Sequence, residues 1–177
     1  MRVHSFAPIE RASARLLILG TMPGRASLAA GEYYAHPRNA FWRIVAALFS
    51  FDPAAAYAAR AEALRAADVA LWDVLRTCTR ETSLDTDIEP ATIVPNEIAA
   101  FLDRHRRIRT IAFNGLGAER LFRRHVSPTL SCDRPIDLVR LPSTSPAHAG
   151  RTFQEKLAAW REALRPTMLG KARATRI

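Results

Sequence analysis

The chain has 177 residues, 49% of them hydrophobic, and 26 Lys and Arg against 17 Asp and Glu leave a formal net charge of +9. That length suits one domain over 1–177 whose core needs neither disulfides nor a structural metal, and no apolar run approaches the roughly 20 residues that a helix needs to span a bilayer, so a soluble protein is expected. The excess of basic residues points to a polyanionic partner; the preference for Arg, with only Lys156 and Lys171 as lysines, can follow coding-DNA composition, but the excess itself cannot.

In chain order, residues 1–10 lack the basic, apolar and small-residue segments of a secretory signal, and Cys78 and Cys132 stand alone, so a reducing cytoplasm is expected. The apolar run 16–21 reads as a buried strand that ends in the turn Met22-Pro23-Gly24. Asn39 suits the cap of a helix running through Phe49, and an Ala-rich helix follows over 54–67. Runs 69–74, 110–115 and 136–141 repeat the strand pattern, and helices are expected over 96–105, 117–125 and 152–164. Phe41, Trp42, Trp72 and Trp160 belong to the core. Strand alternates with helix, which predicts an α/β fold: a three-layer αβα sandwich around a mainly parallel four-stranded sheet, with loops at the carboxyl ends of the strands building the site. The segment 166–177, with Lys171, Arg173 and Arg176, is expected to be a loosely ordered basic tail.

Two phosphate motifs are excluded. The first turn lacks a Gly-Lys-Ser/Thr ending, and Asn114-Gly115-Leu116-Gly117 lacks the third Gly of a dinucleotide fingerprint. Zinc is not expected either, since the cysteines are 54 positions apart and the histidines at 4, 36, 105, 125 and 148 show no ligand spacing.

Four segments, each following a predicted strand or leading into a helix, carry a resemblance. They are Gly20-Thr21-Met22-Pro23-Gly24, Tyr34-Ala35-His36-Pro37-Arg38-Asn39-Ala40-Phe41-Trp42, Phe113-Asn114-Gly115, and Pro142-Ser143-Thr144-Ser145-Pro146-Ala147-His148. In this order they resemble the uracil-DNA glycosylase superfamily, and within it the hypoxanthine-DNA (deoxyinosine) glycosylase family; the strand at Leu71 to Leu75 and the segment Thr79 to Asp85 fit as well.

The resemblance implies a monofunctional DNA repair glycosylase that flips a deaminated base out of the helix, most simply hypoxanthine, and hydrolyses its N-glycosidic bond. In the mismatch-specific uracil branch an Asn of the first motif orients the attacking water, whereas this chain has Met22 there, so the resemblance assigns the catalytic amide to Asn39. It further implies base-binding positions at Met22, Pro23, Tyr34, Asp73 and Asn114, with Tyr34 as the stacking ring and Asp73 and Asn114, at the ends of adjacent predicted strands, reading the base edge. Pro142, Ser143, Thr144, Ser145, Pro146 and His148 would form the loop that meets DNA. No cofactor or metal is expected, because the iron–sulfur branches need four cysteines; the partner is DNA, and the protein is expected to act as a monomer.

Each residue also suits a plainer role. Asn39 can cap its helix, Tyr34 can be packing, His36 a turn residue, Asp73 a strand-end hydrogen bonder, Asn114-Gly115 a turn pair, and the last motif a solvent loop. The alternatives at the level of function are a mismatch-specific uracil-DNA glycosylase, an inactive nucleic-acid-binding relative, and an unrelated α/β hydrolase of free nucleotides.

Overall fold

A computed structural model of the chain describes residues 1–131 and 133–170. In chain order its elements are β1 (Arg2–His4), β2 (Leu16–Gly20), α1 (Arg25–Ala30), α2 (Phe41–Phe49), α3 (Tyr57–Ala66), β3 (Val69–Asp73), β4 (Leu75–Thr79), β5 (Val94–Pro95), α4 (Ile98–Arg104), β6 (Thr110–Asn114), α5 (Leu116–His125), β7 (Asp137–Leu141) and α6 (Phe153–Met168). The four expected strands form one sheet in the order β3-β2-β6-β7, all parallel. Every residue of β2 and β3 is buried, which requires cover on both faces. Helices supply it: α3 packs on β3, α5 on β6 and β7, and α6 on β7 and α2.

The topology fixes where a ligand can sit. From β2 the chain crosses to β3 on one side, then returns to β6 on the other, so the strand order reverses between β2 and β6. A crevice opens outside the carboxyl ends of strands at such a point, and the residues there are Gly20 and Asn114. Asp73 and Asn114 do not lie on neighbouring strands, because the wholly apolar β2 runs between β3 and β6. They face the crevice from either side of Gly20.

A second, three-stranded antiparallel sheet, β1-β4-β5, was not anticipated. Its strands are two to five residues long, and β4 carries exposed Arg76 among buried neighbours, so no apolar run marks it. Only Val74 separates β4 from β3. Met1 and Arg80 close this sheet by exchanging backbone hydrogen bonds.

The four large aromatic residues assigned to the core are buried there, and each Trp indole N–H finds a carbonyl: Trp42 donates to Tyr33, Trp72 to Phe6 and Trp160 to Pro142. Helix α2 begins one residue later than expected, with Ala40 as its cap residue. The expected helix over 54–67 starts only at Tyr57. Helix α6 opens on a capping box between Thr152 and Glu155 and continues past Pro166 to Met168, so the first residues of the expected tail are helical. Residues 171–177, including Lys171, Arg173 and Arg176, lie outside the described residues, as does Cys132.

Candidate active site

The carboxyl ends of β2, β3 and β6 open into a cavity of roughly 490 Å³. Its floor is set by Gly20. A Cβ at that position would lie 2.5 Å from Asp73 Oδ1 and 2.7 Å from the Tyr34 hydroxyl, so only glycine leaves room for both groups over the strand end. The following turn, Thr21 to Gly24, is held from below by buried Arg80, whose guanidinium donates to the Pro23 carbonyl.

Asp73, 3% exposed, accepts from Ser5 Oγ at 2.8 Å. Burial, and then the nearby Asp85 carboxyl, push it up to about 7, against the opposing Ser5 hydrogen bond and the Arg80 charge. Near neutral pH this carboxyl is therefore poised between donor and acceptor. Its raised value also makes stability pH-dependent. The folded state binds more protons than the unfolded state between about pH 4 and 7, so the Asp73 contribution is fully present below that window and lost as pH rises through it. Asp73→Asn is expected to gain on the parent by on the order of 3 kcal/mol between about pH 5 and 8. Thermal melting at both pH values checks this, and a difference that stays constant would contradict it.

Tyr34 adopts φ +54°, an unusual conformation for a bulky residue, and its ring stacks on Phe41 with centroids 4.0 Å apart. Burial, then the Asp73 carboxyl, raise its hydroxyl above the ordinary range, with the Asn114 amide opposing them. The hydroxyl is buried, and no described residue meets it with hydrogen-bonding geometry. An unpaired buried donor inside a cavity is the kind of group that a ligand satisfies.

On the far side of Tyr34, the chain turns at His36, whose Nδ1 accepts from the Arg38 N–H and whose carbonyl accepts from Asn39 N–H. Asn39 Oδ1 accepts from Phe41 N–H at 3.0 Å, which satisfies one free donor at the start of α2. Its amide N–H groups make no bond among the described residues, so capping leaves the amide able to hold a further group.

The loop 142–148 forms the opposite wall. Asn114 pairs reciprocally with Thr144, donating to Oγ1 at 2.8 Å and accepting from its N–H at 2.9 Å. Thr144 is 1% exposed and its carbonyl also takes the Ala40 N–H, so this residue holds the loop to the rest of the site. Helix α6 grips the loop at both ends, through Trp160 to the Pro142 carbonyl and Lys156 Nζ to the His148 carbonyl at 2.8 Å.

Residues 8–165 match the family model described as the uracil DNA glycosylase superfamily. The chain belongs to this superfamily. A curated protein of Methanosarcina barkeri named hypoxanthine DNA glycosylase is 34% identical over 116 residues, covering 65% of this chain and 72% of its own length. A second with the same name, from Methanosarcina acetivorans, is 32% identical over 113 residues, covering 63% and 70%. A solution NMR structure described as a candidate uracil DNA glycosylase of Methanosarcina acetivorans superposes with a TM-score of 0.72 at 28% identity, covering 92% of this chain and 99% of that one.

Of the positions that sequence reading assigned to a superfamily site, Met22, Pro23, Tyr34, Asn39, Asp73, Asn114, Ser143, Thr144, Ser145, Pro146 and His148 all line this cavity. Pro142 does not. The lining also holds Asp85 and Leu116, which no local pattern singled out; the one signal for Asp85 was its place in the segment that fits the superfamily. Among the described residues no three His, Cys, Asp or Glu are grouped to hold a metal ion, and no helix is long and apolar enough to cross a membrane.

Proposed function

We propose that this DNA glycosylase releases hypoxanthine from deoxyinosine, working as a cytoplasmic monomer on a nucleotide turned out of the DNA into the cavity. The observation that carries the reading is the convergence of Tyr34, Asn39, Asp73 and Asn114 on one crevice at the sheet's reversal point, in a chain whose curated relatives are named hypoxanthine DNA glycosylase.

The chemistry asks for few groups. The bond from C1′ to the base nitrogen breaks with its electron pair leaving on the base, while the sugar becomes cationic; a water oxygen then bonds to C1′ and loses a proton, and the departing base gains one, so that both products are neutral. Asn39 orients that water through its amide, without acting as a strong base. Tyr34 gives the extruded ring a face. Asp73, partly protonated near neutrality, donates to the base edge as negative charge grows there. Thr144 and Asn114 fix the loop, leaving the Ser143 and Ser145 hydroxyls to donate to phosphate oxygens, with Pro146 and His148 at the DNA. Met22 and Pro23 pack beside the base.

The +9 charge implies that phosphate contacts contribute much of the affinity. Binding to duplex is expected to weaken by at least about tenfold between roughly 50 and 200 mM salt, as counterions are released. Titration at several salt concentrations measures the slope, and a flat response would remove the electrostatic part of the reading.

The structural neighbour described as a candidate uracil DNA glycosylase favours uracil as the second reading. A panel of duplexes, each with one deaminated base and treated with alkali after incubation, decides between them: cleavage is expected first at inosine, and a clear preference for uracil would replace hypoxanthine.

A further inference from the structure

Deamination alters each base in the same way. An amino group becomes a carbonyl, and the neighbouring bare ring nitrogen gains a hydrogen. Hypoxanthine thus offers N1–H where adenine has a bare N1, and uracil offers N3–H where cytosine has a bare N3. A site that must spare adenine needs an acceptor at that hydrogen, since a polar group left facing the wrong edge loses its partner.

The cavity lining holds two carboxyl groups, Asp73 and Asp85. Asp73 has one oxygen bonded to Ser5 and the other over Gly20 beside the Tyr34 hydroxyl, and its part-protonated carboxyl is the donor at the base edge, not a free acceptor. Asp85 is differently placed. Its Oδ2 accepts from Thr21 Oγ1 at 2.8 Å, while Oδ1 has no partner among the described residues and the residue stays open to the cavity. The carboxylate also lies close against the start of α5. A Cβ on Gly117 would collide with Oδ2 and come within 3.4 Å of the Thr21 hydroxyl, so this glycine admits the Asp85–Thr21 pair to the site. One oxygen is therefore committed to holding the group still, and the other is free.

We infer that Asp85 is a specificity-determining residue whose free Oδ1 accepts the ring N–H that deamination creates, separating hypoxanthine from adenine. The assignment rests on the glycosylase reading above and adds to it the acceptor half of base recognition. On balance burial raises the Asp85 carboxyl, with the Thr21 hydrogen bond and the Arg80 charge in partial opposition.

The test replaces the hydrogen in question. Single-turnover cleavage is measured for the parent, Asp85→Ala and Asp85→Asn on duplexes holding deoxyinosine or 1-methyl-deoxyinosine, which has no N1–H. The parent is expected to favour deoxyinosine by at least about tenfold. Asp85→Ala should lose a similar factor on deoxyinosine and discriminate little between the two, and Asp85→Asn, which keeps an acceptor oxygen, should retain most of the preference. A parent that cleaves both duplexes alike overturns the assignment. So does an Asp85→Ala protein slowed by the same factor on both, which marks a structural role. If the parent releases uracil but no hypoxanthine, the substrate reading fails and the same comparison with uracil and 3-methyluracil decides on Asp85; cleavage of neither overturns both.

Discussion

Asn39→Ala is expected to lower the single-turnover cleavage rate on an inosine duplex by about 10²- to 10³-fold while binding is largely kept, because removing one preorganised polar group costs that much in comparable sites. The aromatic face of Tyr34 and the phosphate contacts remain, so affinity should change far less than rate. The same substitution removes the acceptor for Phe41 N–H and should cost about 1 kcal/mol of stability. Asn39→Asp separates the two roles. A carboxylate still accepts from Phe41 N–H and suits the start of a helix, so melting should match the parent. It can orient water but no longer donate, so some activity should survive with a new pH dependence. An Asn39→Ala protein that melts like the parent and cleaves at the parental rate would move the catalytic role to Asp73 or Asn114.

The second large effect is expected at Tyr34. Its ring is backed by Phe41 at 4.0 Å, which gives a base a rigid face on which to stack. Base–aromatic stacking is worth roughly 1–3 kcal/mol, so Tyr34→Ala should weaken kcat/KM by about 5- to 150-fold. Tyr34→Phe keeps the face and removes a buried hydroxyl that has no partner among the described residues, so it should cost much less. Both variants share the φ of +54° at this position, and melting curves beside the kinetics separate folding from function. If Phe proves as damaging as Ala, the hydroxyl matters and donates to the base.

Three of the parallel strands, β2, β3 and β6, were legible as largely apolar runs buried on both faces, while the edge strand β7 was legible from a run that alternates, with Arg140 exposed. Their order was not, and with it went the relation of Asp73 to Asn114, since pairing depends on which crossovers the helices permit. The sheet β1-β4-β5 escaped because its strands are short and carry polar residues that other segments cover. Local reading gave Asn39 both a cap and a catalytic role; Ala40 is the cap residue, and Asn39 takes the Phe41 N–H from one position before it. Thr144 was read as part of a DNA-facing loop on sequence grounds, yet its side chain is taken up by Asn114, a partner 30 residues away. Asp85 was invisible locally for the same reason: its position depends on Thr21 and Gly117, brought together only by the fold.

The most direct test of the central claim follows the base and not the strand. An inosine duplex is incubated with the protein in the presence of chelator, and the small-molecule fraction is analysed by mass before any alkali is added. Free hypoxanthine, in one-to-one yield with abasic sites and with the DNA backbone unbroken, is the expected result. A broken backbone with the base still attached to its sugar, or no free base from inosine while uracil is released from a matched duplex, would contradict it.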